Sequence, residues 1–566
     1  MAERKPFISP LIFKLMLTTC FLRVQCVGNN SPTVGTGKMG NWVLLLNNTG
    51  VVAMHMALTR HNTVLLFDQT SSGPSGYNFR RSSDGRRCLG IPRSTSDPAC
   101  SAHSVEYHIG LNSIRPLTIQ TDTWCSSGSF LSNGTLQQTG GYGDGTKRIR
   151  YFEPCNTSRC DWRESRISLA DNRWYATNVA LPEKDSTILV GGLRTYTYEF
   201  VPKRSAHERS FYLPFLYQTN DRDQHGNNLY PFVHLSTDGN LFIFANRDSI
   251  LLNYRRNRVV KTFPRMPGRG SRNYPSSGSS VILPLDHADG FQNVEVLVCG
   301  GSATGAYRRA RGKNFIGGLQ TCGRMMVTGN VHNWTMEEMP EPRLLNDMLI
   351  LPTGHILIIN GAKQGSAGWN NARNPSLQPF LYKPKKQWGK RFSVLRSNKI
   401  ARMYHSSAIL LPDGRVLVAG SNPNNRYAFR NVSYPTELRL QAFVPYYMGH
   451  NYYPARPHNV SVHYAKGAFG VRYKEEFQVR FTLMKRPSNL VEFNVHSPPF
   501  TTHGISMNQR MLKLNHTSVT RQRDHWFTAM VQAPPSPNVA PSGYYMLTVL
   551  NGGIPSTSSW VRFMHS

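Results

Sequence analysis

The stretch from Arg402 to Gly420, "RMYHSSAILLPDGRVLVAG", sets two apolar runs around a Pro-Asp-Gly turn. Short apolar runs joined by such a turn form a tight β-hairpin. A tyrosine and a histidine stand side by side just before the first run. Successive residues of a regular strand point to opposite faces, so Tyr404 and His405 can serve one site only where the chain bends into the strand.

The pattern repeats along the chain. "GSFLSNGTLQQTGG" ends at Gly141, "NVALPEKDSTILVGG" at Gly192 and "VHLSTDGNLFIFAN" at Asn246. "SVILPLDHADGFQNVEVLVCGG" ends at Gly301, "DMLILPTGHILIING" at Gly361, and a weaker copy, "MHMALTRHNTVLLFD", at Asp68. Each reads strand, turn, strand, at steps of roughly 50 to 70 residues, near the kelch-like period of a propeller blade. The expectation is an all-β chain with a seven-bladed kelch-like β-propeller over residues 29–436. Beyond Glu437 the repeat stops, while "FQVRFTL", "LVEFNVHS", "WFTAMVQAP" and "YYMLTVLNGG" keep strand alternation. This predicts a C-terminal immunoglobulin-like β-sandwich over 437–566.

Composition agrees with a turn-rich β protein: 17% of the 566 residues are charged and 11% are aromatic, and long amphipathic helices are hard to find. Residues 1–28, "MAERKPFISPLIFKLMLTTCFLRVQCVG", have a basic start and an apolar centre, the pattern of a secretory signal peptide. No later run is long enough to span a membrane. Asn47, Asn133, Asn156, Asn333, Asn431, Asn459 and Asn515 each open an Asn-x-Ser/Thr triplet. A secreted, extracellular and monomeric glycoprotein is expected, with cell-wall association as one destination. The formal charge of +33 suits an acidic cell-wall polysaccharide as partner. No nucleic-acid-binding motif accompanies the basic clusters "YRRNR" and "YRRARGK".

Of nine cysteines, Cys20 and Cys26 fall in the leader. Local spacing pairs Cys88 with Cys100, Cys155 with Cys160 and Cys299 with Cys322. Cys125 in "TWCSSG" is left over. Three further residues stand out: Tyr175 in "DNRWYATNVAL", just before a hairpin, the Tyr404–His405 pair, and His503 in "SPPFTTHGISMNQRMLKL". Equivalent positions of different blades surround one axis, so these residues can meet there. Two imidazoles and two phenol oxygens suit Cu(II) better than Zn(II). One copper stores one electron, whereas oxidising a C–H bond to a carbonyl and reducing O₂ to peroxide each move two. A tyrosine can hold the second equivalent, and a cysteine sulfur bonded to its ring lowers the cost.

In order and spacing, "GNWVLLLNNTGVVAMHMAL", "TWCSSG", "RWYAT", "RMYHSSAILLPDGRVLVAGSNPN", "TTHGISMNQR" and "GYYMLTVLNGGIPS" resemble the copper radical oxidases. This is the galactose oxidase and glyoxal oxidase group, and the likeness is strongest to plant and fungal glyoxal oxidase-like proteins. The resemblance implies one copper held by Tyr175, Tyr404, His405 and His503. It also implies a Cys125–Tyr175 thioether whose ring carries the radical, and Tyr404 as general base for the substrate O–H. The implied reaction takes aldehydes such as glyoxal or methylglyoxal, as hydrates, to carboxylic acids, with O₂ reduced to H₂O₂. Unlike galactose oxidase, the stretch after Gly192 offers Arg194, Tyr196 and Tyr198 but no tryptophan to cover the radical ring. That favours aldehyde chemistry. The alternatives are a galactose oxidase-like alcohol oxidase acting on sugar or polysaccharide ends, and a non-catalytic propeller that binds acidic polysaccharide.

Overall fold

A computed structural model describes residues 39–79 and 100–565, apart from 158, 222–224, 486 and 489. The expected leader (1–28) and Cys88 lie outside the described residues.

The hairpins predicted from sequence extend into antiparallel sheets of four strands each. The first sheet holds His55–Leu58, Thr63–Phe67, Ser104–His108 and Ser113–Leu117. Five more follow in chain order, opening with the strands Ser127–Phe130, Thr177–Ala180, Phe232–Leu235, Ser279–Ile282 and Asp347–Ile350. The seventh holds Ser406–Leu410, Val416–Gly420 and Leu440–Val444, and Asn41–Leu46 from the N-terminal side completes it. Leu440–Val444 lies past residue 436, where the sequence repeat was expected to end. The hairpin within Arg402–Gly420 is in register, with Ser406 opposite Gly420 and Leu410 opposite Val416. Its strands are buried on both faces, which is why they read as unbroken apolar runs rather than alternating ones.

The opening strands of neighbouring sheets pack on one another around a common centre. Into that centre comes a hairpin from the C-terminal part, Phe500–Thr502 and Ile505–Met507. Its first strand pairs with His55–Leu58, with Thr502 opposite His55, and so adds to the first sheet. Its second strand packs against the opening strands of the second, third, fifth and sixth sheets.

The remaining C-terminal strands form two sheets. One contains Val491–Ser497, Arg510–Leu514, Gly543–Asn551 and Ser559–Met564; the other contains His458–His463, Glu476–Thr482 and Trp526–Gln532. In Glu476–Thr482 burial alternates, and Phe477, Val479 and Phe481 face a core shared with Phe493, Val495, Leu547 and Phe563. Leu285–Asp286, an excursion from the fifth sheet, pairs with Leu512–Lys513 and ties the two parts together.

Disulfides join Cys155 to Cys160 and Cys299 to Cys322, as local spacing predicted. Cys100 is disulfide-bonded, and its expected partner Cys88 is outside the described residues. Cys125 is a free, buried thiol. Among the described residues no helix is long and apolar enough to cross a membrane.

Candidate metal centre

Each expected site residue lies where the backbone turns into or between strands. Cys125 and Tyr175 precede the opening strands of the second and third sheets, with φ of +54° and +66°. His405, at φ +63°, immediately precedes Ser406–Leu410. Left-handed backbone costs a non-glycine residue on the order of 1 kcal/mol and is retained where surrounding structure fixes it. Here it produces the bend that lets adjacent side chains share a site: the Tyr404 and His405 rings stack at 3.8 Å and 27°. His503 and Gly504 are the two central residues of the inserted hairpin, with φ of +51° and +80°. Positive φ at both positions is the tight two-residue turn that matches strand twist. It presents the imidazole at the tip.

The five expected residues converge. The donor atoms of Cys125, His405 and His503 lie within 4.8 Å of one another. Cys125 Sγ is 3.2 Å from His503 Nε2. The His503 ring is 5.0 Å from that of His405, 5.6 Å from Tyr404 and 6.3 Å from Tyr175. The Tyr175 N–H donates to the Cys125 carbonyl at 3.0 Å, which brings the two residues side by side. All five are buried, at 3% exposure or less.

Burial sets the protonation states. It pushes the His405 and His503 imidazoles well below their ordinary range, so both are neutral and able to ligate. It also raises the Tyr175 and Tyr404 phenols and the Cys125 thiol. A cation among them offsets that penalty. Among the described residues neither ring nitrogen of His405 has a hydrogen-bond partner. A buried, unsatisfied imidazole is costly, on the order of 1–3 kcal/mol, unless a ligand completes it. His503 Nδ1 meets Thr502 Oγ1 at 2.6 Å, which turns Nε2 toward the centre. Two imidazoles, two phenols and a thiol fit copper.

Sequence reasoning missed the groups that surround these side chains. Tyr274, fully buried, bridges the two expected phenols: its hydroxyl accepts from Tyr175 at 3.2 Å and bonds Tyr404 at 2.9 Å. Its signal was visible, because "RNYPSS" matches "RMYHSS" at the entrance to another sheet. Tyr230, 5.4 Å from His503 between ring centroids, holds a similar entrance position in "NLYPF". The aromatic cover of the Tyr175 ring comes from Tyr274, at 4.4 Å, and from Trp174, its own neighbour in sequence, at 4.8 Å. Trp174 packs on Trp124, which stacks on partly exposed Trp369, so aromatic rings line the way from the surface to Tyr175. Tyr196 and Tyr198 face elsewhere: Tyr196 packs on Tyr217, and Tyr198 stacks on Phe211 within the third sheet.

Comparison with known proteins gives this centre a family. The glyoxal oxidase N-terminus model matches residues 54–447. The chain belongs to the glyoxal oxidase family. The galactose oxidase-like early set domain matches residues 456–563 of this family member. It is 42% identical over 528 residues to aldehyde oxidase GLOX of Vitis pseudoreticulata, covering 93% of this chain and 97% of the relative. Identity to aldehyde oxidase GLOX1 of Arabidopsis thaliana is 42% over 535 residues, covering 93% and 85%. A solved fungal alcohol oxidase of the AA5 family, in complex with copper, shares the fold. Its TM-score is 0.69 at 17% identity, covering 94% of this chain and 100% of that one.

Proposed function

We propose that this glyoxal oxidase family member oxidises small aldehydes, as their hydrates, to carboxylic acids and passes the two electrons to O₂, giving H₂O₂. The observation that carries this is the convergence of Cys125, Tyr175, Tyr404, His405 and His503, with both His405 nitrogens buried and unsatisfied. The 42% identity to plant proteins named aldehyde oxidases supports the aldehyde over the sugar alcohol.

Tyr175, Tyr404, His405 and His503 would hold the copper. When bound, copper supplies a one-electron couple and an electrophilic position for substrate oxygen. Tyr404 Oη takes the proton of the substrate O–H. The Tyr175 ring holds the second oxidising equivalent and takes the hydrogen atom from the substrate carbon. Cys125 Sγ, bonded to that ring, lowers the cost of oxidising it. Forming the thioether makes one S–C bond and removes the thiol hydrogen and one ring hydrogen, and the two electrons and two protons pass to O₂. Trp174 and Tyr274 cover the ring and keep bulk water from the radical.

The seven four-stranded sheets are the blades of a kelch-like propeller, residues 29–436 carried on to the strand ending at 444, and the rest of 437–566 is an immunoglobulin-like sandwich. Residues 1–28 are a signal peptide, and the protein acts outside the cell as a monomeric glycoprotein held to acidic wall polysaccharide by its positive charge.

The decisive experiment is peptide mass spectrometry of copper-loaded protein after full reduction, run beside peroxide assays on small aldehydes and on galactosides. A Cys125 peptide joined to the Tyr175 peptide, lighter than their sum by two hydrogens, is expected, with peroxide released from aldehydes. Free alkylation of Cys125 despite copper and O₂ refutes the radical cofactor. Peroxide from galactosides alone replaces aldehyde with alcohol oxidation.

A further inference from the structure

A cavity of ≈ 420 Å³ opens at the seam between the fifth sheet, the sixth sheet and the C-terminal part. Its lining includes Arg324, His355, Lys383, Lys385, Lys386 and Lys513. It is separate from the metal centre. Asn346, whose carbonyl lies against Gly504, and the Thr353–Gly354 turn in the cavity wall sit at opposite ends of the strand Asp347–Ile350. At ~3.3 Å per residue that strand alone spans about 13 Å.

The positive charge of this cavity is only partly neutralised. Arg324 is paired with Glu295, and Lys513 with Glu492. Lys385, 83% exposed, lies 3.9 Å from Asp286, a weak contact. Lys383 and Lys386 have no carboxylate partner among the described residues. The half-buried Lys383 ammonium is held below its ordinary range by burial and by Lys386. His355 Nδ1 is buried with no hydrogen-bond partner among the described residues, and burial together with Lys383, Lys513 and Lys386 pushes that imidazole down to about 4. Cations crowded at the mouth of a walled cavity, each disfavouring the next, are stabilised by an anion placed between them.

We propose that this cavity binds uronate residues of an acidic polysaccharide. The cations run from the half-buried Lys383 outward to the exposed Lys385 and Lys386. A chain with a carboxylate on successive sugars offers one anion to the half-buried Lys383 and another to the exposed Lys385 and Lys386. The cavity has room for a sugar ring. The proposal supplies a site for the polysaccharide partner inferred above, and it does not depend on the oxidase chemistry.

The test is retention of the full-length protein on immobilised de-esterified polygalacturonate, with fully methyl-esterified polymer as the neutral control. Wild-type protein is compared with the double variant K383Q/K386Q and with R256Q/R258Q, which removes the same charge from exposed positions elsewhere. The expected result is binding only to the de-esterified polymer, weakened about ten-fold or more in K383Q/K386Q and changed less than about two-fold in R256Q/R258Q. Failure of the wild type to bind removes the polysaccharide partner itself. Equal loss in both variants means that net charge holds the polymer, and no loss in K383Q/K386Q means that another surface does; either overturns the site. Displacement by inorganic phosphate at lower charge concentration than by polygalacturonate overturns the ligand class.

Discussion

Thr502 tests whether the inserted hairpin positions a ligand or only fills space. Its backbone pairs with His55 and Ile505, so the strand survives a change of side chain. Its hydroxyl lies 2.6 Å from His503 Nδ1. Thr502→Val keeps the branched shape and removes that oxygen. With Nε2 facing the centre, Nδ1 carries the proton and donates it to Thr502 Oγ1, which fixes tautomer and ring orientation. Leaving a buried N–H unpaired costs on the order of 1–3 kcal/mol. Such an outer partner of a metal-binding histidine is worth ~10–100-fold in metal affinity, which is about 1.4–2.7 kcal/mol. The two figures agree. The expected outcome is therefore a Cu(II) dissociation constant raised roughly 10–100-fold, read by competition with a chelator of known affinity. Affinity unchanged within about two-fold would refute the role of Nδ1 and the assignment of Nε2 to the metal.

Three further outcomes follow from the geometry. Gly504→Ala places a Cβ 2.5 Å from the Asn346 carbonyl at φ +80°; it should lower stability by on the order of 1–2 kcal/mol and weaken copper binding, and an unchanged melting temperature with unchanged affinity contradicts the tight turn. Tyr274→Phe removes the hydroxyl joining Tyr175 to Tyr404; the thioether should still form by mass spectrometry, while the radical's absorption and resonance signal decay about ten-fold faster, and an unaltered lifetime shows that the bridge is structural only. His496 is buried and is pushed down to about 4 by burial, against a backbone hydrogen bond at Leu351 that favours the charged form. The unfolded chain takes up its proton near pH 6.5 and the folded chain only near 4. His496 therefore stabilises the fold above 6.5 and loses that contribution as pH falls from 6.5 toward 4, by about 2 kcal/mol at pH 5. His496→Gln should flatten this acid limb in denaturant titrations at pH 7 and 5, and an equal loss in variant and wild type refutes the assignment.

The sequence by itself determined the hairpins and singled out the five side chains that converge at the buried centre. Apolar runs closed by Asp-Gly or similar turns specify strand pairing over a few residues, so Ser406–Leu410 with Val416–Gly420, and its counterparts, were legible without tertiary information. Cysteine arithmetic isolated Cys125 because a thiol left over from local pairs is conspicuous in the sequence alone. What only the tertiary structure decided depends on approach between segments distant in sequence. Closure of the seventh sheet by Asn41–Leu46 and the insertion of Phe500–Met507 beside His55–Leu58 are long-range pairings that carry no local sequence signal. Tyr274 reads as an ordinary packing aromatic until its hydroxyl is found between two others. Charge counting gave a basic protein, but whether a given lysine meets a carboxylate, another lysine or open solvent is fixed only by folding, because Coulomb interactions depend on separation and burial, neither of which is a property of the sequence position.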